Sequence, residues 1–204
     1  MRRRFLATVA AGAFLMAQPL AQGQGASEYE IRPSPQSRFA PEVFKTGIWS
    51  GRKHLFLFPK YAGSVRLDPA SPENSTVQLS IDGASAICQD TWASPSDLRN
   101  IQNRAFEMMD VAKHPQLVFS SERIVAGGDN RFQVQGSLSI RGIARPAVVT
   151  VVMVRQDDET LLFNGSAEIR LKNYGLKPPS AALGLIGTAD QMHLEFALRG
   201  TKVR

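Results

Sequence analysis

The stretch "GSLSIRGIARPAVVTVVM", Gly136 to Met153, sets Leu138 and Ile140 against Ser137 and Ser139, breaks at Arg141-Gly142, and resumes through Val148 to Met153. It reads as two strands joined by a tight turn, with Gly142 free to take a positive φ and Pro146 starting the second strand. Each strand has an apolar face. That face packs either on the protein's own side chains or around a guest.

The same period of two recurs along the chain. Val77, Leu79 and Ile81 oppose Gln78, Ser80 and Asp82; Phe132 and Val134 continue the parity of Leu138. Phe163, Ala167, Ile169 and Leu171 oppose Asn164, Ser166, Glu168 and Arg170, and Met192, Leu194, Phe196 and Leu198 oppose His193, Glu195 and Ala197. Strict alternation predicts a sheet with one dry and one wet face, and so antiparallel pairing. The turns at Gly127-Gly128-Asp129-Asn130, "RGIARP" and "QDDET" are short and sequential, which predicts an up-and-down meander. Closing such a meander into a barrel removes its two open edges. Eight strands enclose either a filled core or room for one small ligand. Gly136 and Gly165 fall on the dry parity, marking either bulges or space left for a ligand.

Two segments depart from the alternation. In "SPSDLRNIQNRAFEMMD", Leu98, Ile101, Ala105 and Met108 recur at helical spacing, behind Ser94 as N-cap, Pro95 at N1 and Asp97 closing a capping box. An amphipathic helix near residues 95–110 is expected, packed against the sheet. The loop "YGLKPPSAALGLIG" carries Leu176, Ala181, Leu183, Leu185 and Ile186, and either caps the core or serves as a lid. "HLFLF" is apolar on both parities, as a strand buried on two sides or lying beneath the helix would be.

Residues 1–23 have the layout of a secretory signal peptide: Arg2, Arg3 and Arg4, the apolar run Phe5 to Ala17, and the small-x-small site Ala21-Gln22-Gly23. The expected destination is the periplasm, by the Sec or the twin-arginine route. Residues 24–36 read as a flexible lead-in, and 37–204 as one domain. Without its first 23 residues the chain carries 21 basic and 18 acidic residues, a net of +3. The bases are scattered, so no nucleic-acid partner is expected. Cys88 is the only cysteine; it excludes an internal disulfide and reads as a small core hydrophobe.

Four stretches in order resemble the YceI-like family of exported bacterial lipid-binding proteins. They are "SRFAPEVFKTGIWSGRKH", "DVAKHPQLVFSSERI", "VQGSLSIRGIARPAVVTVVM" and "AEIRLKNYGLKPPS". The resemblance spans about Ser37 to Gly200 and departs at Phe56 and His114, where relatives carry a histidine and an aromatic residue. It implies an all-β, lipocalin-like up-and-down antiparallel barrel with one helix against it. It also implies a cavity for a polyisoprenoid, an isoprenoid quinone or another fatty amphiphile. Carried to this chain, the ligand-binding wall comprises Phe119, Val134, Leu138, Ile140, Phe163, Ile169, Leu194 and Phe196, with His54 or Lys172 orienting a head group.

The expected partner is thus a small apolar ligand, a bound isoprenoid or other long-chain lipid, with no covalent cofactor and no metal. A transient contact with the membrane or a membrane redox protein belongs to the same reading, as does a dimer among the oligomeric states. Two rivals remain open. An enzyme finds little support, because His54, His114 and His193 fit no compact metal motif and no nucleophile elbow or nucleotide loop is present. A filled, ligand-free barrel acting as an interaction or stress-response module predicts bulk where Gly136 and Gly165 stand.

Overall fold

The computed structural model describes residues 25–157, 159–180 and 185–204, apart from the side chains of Arg155 and Gln156. The expected signal peptide and the loop residues 181–184 lie outside the described residues. Among the described residues eleven strands form: β1 (Ser27–Ile31), β2 (Arg38–Gly47), β3 (Lys53–Leu57), β4 (Tyr61–Leu67), β5 (Thr76–Asp82), β6 (Ile87–Cys88), β7 (Gln116–Ala126), β8 (Arg131–Ile140), β9 (Ile143–Gln156), β10 (Thr160–Arg170) and β11 (Ile186–Lys202). Helix α1 (Pro95–Met109) interrupts them between β6 and β7.

Eight strands close an antiparallel barrel in the order β1-β4-β5-β7-β8-β9-β10-β11, with β11 returning to β1. From β7 onward each strand pairs with its successor, as the alternation and short turns require. The β8–β9 hairpin turns on Arg141 and Gly142, both at positive φ (55° and 72°), with Ile140 opposite Ile143. Two positive-φ residues match the right-handed twist of the flanking strands. Pro146 does not begin β9, which starts at Ile143; it lies within the strand, opposite Ser137. A proline fits there because its missing N–H faces away from the β8 ladder.

The flexible lead-in expected over 24–36 is corrected: it contains β1, which completes the barrel. Tyr29 to Ile31 pair with Gly200 to Lys202 on one side, and Ser27 to Ile31 with Gly63 to Leu67 on the other. Tyr29 and Ile31 are 2% and 0% exposed. The alternation of Glu28 and Glu30 with Tyr29 and Ile31 is a strand signal, but a short one set amid glycine, serine and proline. β1 and β2 lie along the same side of β11, β2 pairing Arg38 to Val43 against Met192 to Ala197. β2 then leaves the ring with β3 and β6 as an outer flap.

Ser94 caps α1 by accepting from the Asp97 N–H at 3.2 Å, and its hydroxyl donates to the Asp97 carboxylate at 2.7 Å. The helix ends at Asp110, whose φ of 51° turns the chain away. Ala105, Met108 and Met109 line the same interior space as Phe56 of β3 and Phe58, so that parity of the apolar stretch lies beneath the helix.

Replacing Ile31 by alanine should lower stability by about 2–5 kcal/mol, the range for a fully buried aliphatic. Urea unfolding followed by circular dichroism measures it. An unchanged midpoint would return residues 27–31 to the status of a loose leader.

Candidate functional site: an apolar barrel interior

The inward parities converge on two cavities of about 130 and 100 Å³. Phe39, Ile81, Leu138, Ile169 and Leu194 line both and form the waist between them. The larger adds residues such as Val77, Leu79, Phe119, Val134, Phe163 and Phe196; the smaller adds Pro41, Val43, Ile140, Met192 and the underside of α1. No polar atom is exposed on either lining. Such a space gives water no partner and accepts hydrocarbon. Phe39 and Phe196 stack at the waist with centroids 6.0 Å apart, and Phe163 meets the Phe196 ring edge to face at 6.4 Å.

All eight wall residues expected from the sequence line these cavities, Ile140 only the smaller one. The two inward glycines serve neighbouring rings. A Cβ on Gly165 would lie 2.2 Å from the Phe196 ring, and one on Gly136 would meet the Ser120 carbonyl at 2.2 Å and the Phe119 ring at 3.0 Å. Gly136 also lies beside a register shift at Ser121–Arg123, so the bulge reading holds there. In both places glycine lets an aromatic side chain occupy the wall.

Val149, Val151 and Met153 line the larger cavity but were illegible in "VVTVVMV", which is apolar on both parities. The opposite parity includes Val148 and Val154, 52% and 59% exposed. Met108 and Met109 belonged to a helix whose docking place no periodicity reveals.

His54 is not in either lining. It sits on β3 with its Nδ1 2.6 Å from an Asp90 carboxylate oxygen, while the other oxygen accepts the Leu55 N–H at 2.8 Å. Trp92 packs on the imidazole at 5.5 Å and donates its indole N–H to the Lys53 carbonyl. This arrangement fixes the root of the outer flap. Lys172 donates its backbone N–H to Asp190, and Leu171, Tyr174 and Leu176 are buried at the barrel's end, Leu171 and Leu176 lining the smaller cavity. That part of the loop caps the core; Ala181 and Leu183 lie outside the described residues, and Leu185 is exposed. Among the described residues, no three His, Cys, Asp or Glu side chains gather to hold a metal.

A closed antiparallel barrel with an apolar interior defines a fold class, the lipocalin-like barrels. The model of the YceI-like domain matches residues 35–199, and the chain belongs to that family. It is similar to a UPF0312 protein of Azotobacter vinelandii, 28% identical over 196 residues that cover 91% of this chain and 96% of that one. Among solved structures it is similar to BcnA of Burkholderia cenocepacia, with a TM-score of 0.63 and 23% identity over 80% of this chain and 95% of that one. It is also similar to a polyisoprenoid binding domain from Saccharophagus degradans, with a TM-score of 0.59 and 15% identity over 86% and 98% of the two chains.

Asp90→Ala should cost about 1–3 kcal/mol for each buried donor it strands, here the His54 ring and the Leu55 N–H. Binding of a prenol such as geranylgeraniol should survive; its loss in a folded variant would place His54 at the ligand. Burial pushes the Cys88 thiol up to about 11 from an ordinary 9.0. Iodoacetamide at pH 8 should therefore leave native Cys88 unmodified and label it promptly in urea, because the thiolate is the reacting species. Fast native labelling would contradict the burial.

Proposed function

We propose that the protein is a periplasmic carrier or sensor that holds one long apolar molecule, an isoprenoid or a similar fatty amphiphile, in its barrel. The observation that carries this reading is the lining: two neighbouring cavities with no exposed polar atom, separated by a shared hydrophobic waist. Desolvating the chain supplies about 0.8 kcal/mol per buried CH₂, against the cost of ordering it. The polyisoprenoid binding domain of Saccharophagus degradans, similar in fold, supports the ligand class. The arginine-led apolar segment at residues 1–23 supports export. Ile48 and Trp49, exposed at the tip of the outer flap, stand with Lys45 and Arg52 over the Trp49 ring at 5.5 and 5.4 Å. Aromatic and cationic groups together favour a lipid interface, which supports a transient membrane contact for loading or delivery.

Leu138→Trp fills the waist and Phe163→Trp the larger cavity. Titration calorimetry with geranylgeraniol should show binding to the native chain, with a negative heat-capacity change. Both variants should lose most of it while keeping their strand circular dichroism. Undiminished affinity in folded variants would place the ligand elsewhere.

A further inference from the structure

The barrel wall is not bonded throughout. The β9–β10 ladder runs from Leu161↔Gln156 to Ser166↔Thr150 and ends there. Both strands continue: Ile143 to Val149 stay paired with β8, and Ala167 to Arg170 with β11. Among the described residues these two stretches share no ladder, so a seam opens between them. Pro146 suits this edge, since it has no N–H to leave unpaired. Beyond the seam, side chains replace the missing backbone bonds. Arg145 Nε donates to the Asn173 carbonyl at 3.1 Å and Arg141 to the Gly175 carbonyl at 3.0 Å, tethering the start of β9 to the turn after β10.

A groove of about 630 Å³ lies on the outer face of this seam. Ala147, Ala167 and Leu194 line both the groove and the larger apolar cavity. Two of the three separating side chains are thus alanines, the smallest available partition. The groove's lining includes Thr150, Ser166, Glu168, His193 and Glu195, and no lysine or arginine. Glu168 accepts from Gln191 Nε2 at 2.5 Å and lies 3.5 Å from His193 Nδ1. Hydroxyls, carboxylates and an imidazole therefore meet a hydrocarbon space at a place where the wall is thin.

We infer that the β9–β10 seam is the side port of the barrel and the seat of the ligand's head group, and that it selects a neutral, hydrogen-bond-donating head over an anionic one. This rests on the reading that the barrel binds an apolar chain. The chain passes between Ala147 and Ala167 into the cavity, and a hydroxyl head stays in the groove, donating to the Glu168 or Glu195 carboxylate. A carboxylate or phosphate head meets those two carboxylates and is repelled.

Retinol and retinoic acid test this, because they share one isoprenoid chain and differ in the head. Retinol fluorescence, with retinoic acid as competitor, should report binding about tenfold tighter for retinol, a modest ratio because both carboxylates are solvent-exposed. Glu168→Gln with Glu195→Gln, on the exposed rim, should erase most of that difference. Ala147→Phe should slow retinol uptake in stopped flow, whereas Val154→Phe, on the outer face of β9 away from the seam, should not. Equal affinity for the two retinoids, with native uptake rates in Ala147→Phe, would overturn the port while leaving the cavity reading intact. If neither retinoid nor Nile red binds the native chain, the apolar-container reading fails and the port falls with it.

Discussion

Closure of the sheet is the constraint on which everything else depends. Tyr29 to Ile31 lie between β4 and β11, and without them β4 and the end of β11 beyond its pairing with β2 would be left unpaired and the ring open. Once the ring closes, every strand's inward parity is committed to one common space. The alternation that would make an ordinary two-layer sheet then makes a container. A ring of this size leaves more room than its side chains fill, and the waist of Phe39, Leu138 and Leu194 divides that room without filling it.

The wall is crowded where its inward glycines stand. Gly136 and Gly165 make way for the rings of Phe119 and Phe196, so large aromatic surface is accommodated beside the backbone. The lower end is closed by α1 and by Leu171 and Leu176, while polar chemistry is displaced to the periphery. His54 and Asp90 brace the flap, and Glu168 and His193 lie on the outer face. A ligand held here would owe its affinity to hydrocarbon burial and its selectivity to the margins.

The barrel and most of its lining were legible in the sequence because period two maps directly onto inside and outside. Val134, Leu138, Ile169 and Leu194 announce their direction through the serines, glutamates and histidine between them. Legibility failed where that contrast is absent. β9 is apolar on both parities, so Val149 and Val151 had no polar neighbours to orient them. β1 carries only the brief alternation Glu28-Tyr29-Glu30-Ile31 within a polar, glycine- and proline-rich stretch, and the docking of α1 depends on contacts no local pattern encodes. His54 was expected near a head group, yet its partner Asp90 stands 36 positions along the chain, a pairing that only the fold brings about. The seam between β9 and β10 was likewise invisible, since Pro146 alone reads as a strand start.

The most direct test of the proposed carrier reading is to purify the protein natively from its own host cells, extract it with organic solvent and analyse the extract by mass spectrometry. A single isoprenoid or long-chain amphiphile near one equivalent per chain is the expected result. A clean extract from a chain that still takes up no added prenol or quinone would contradict it, and would make the barrel a closed scaffold whose partner is another protein.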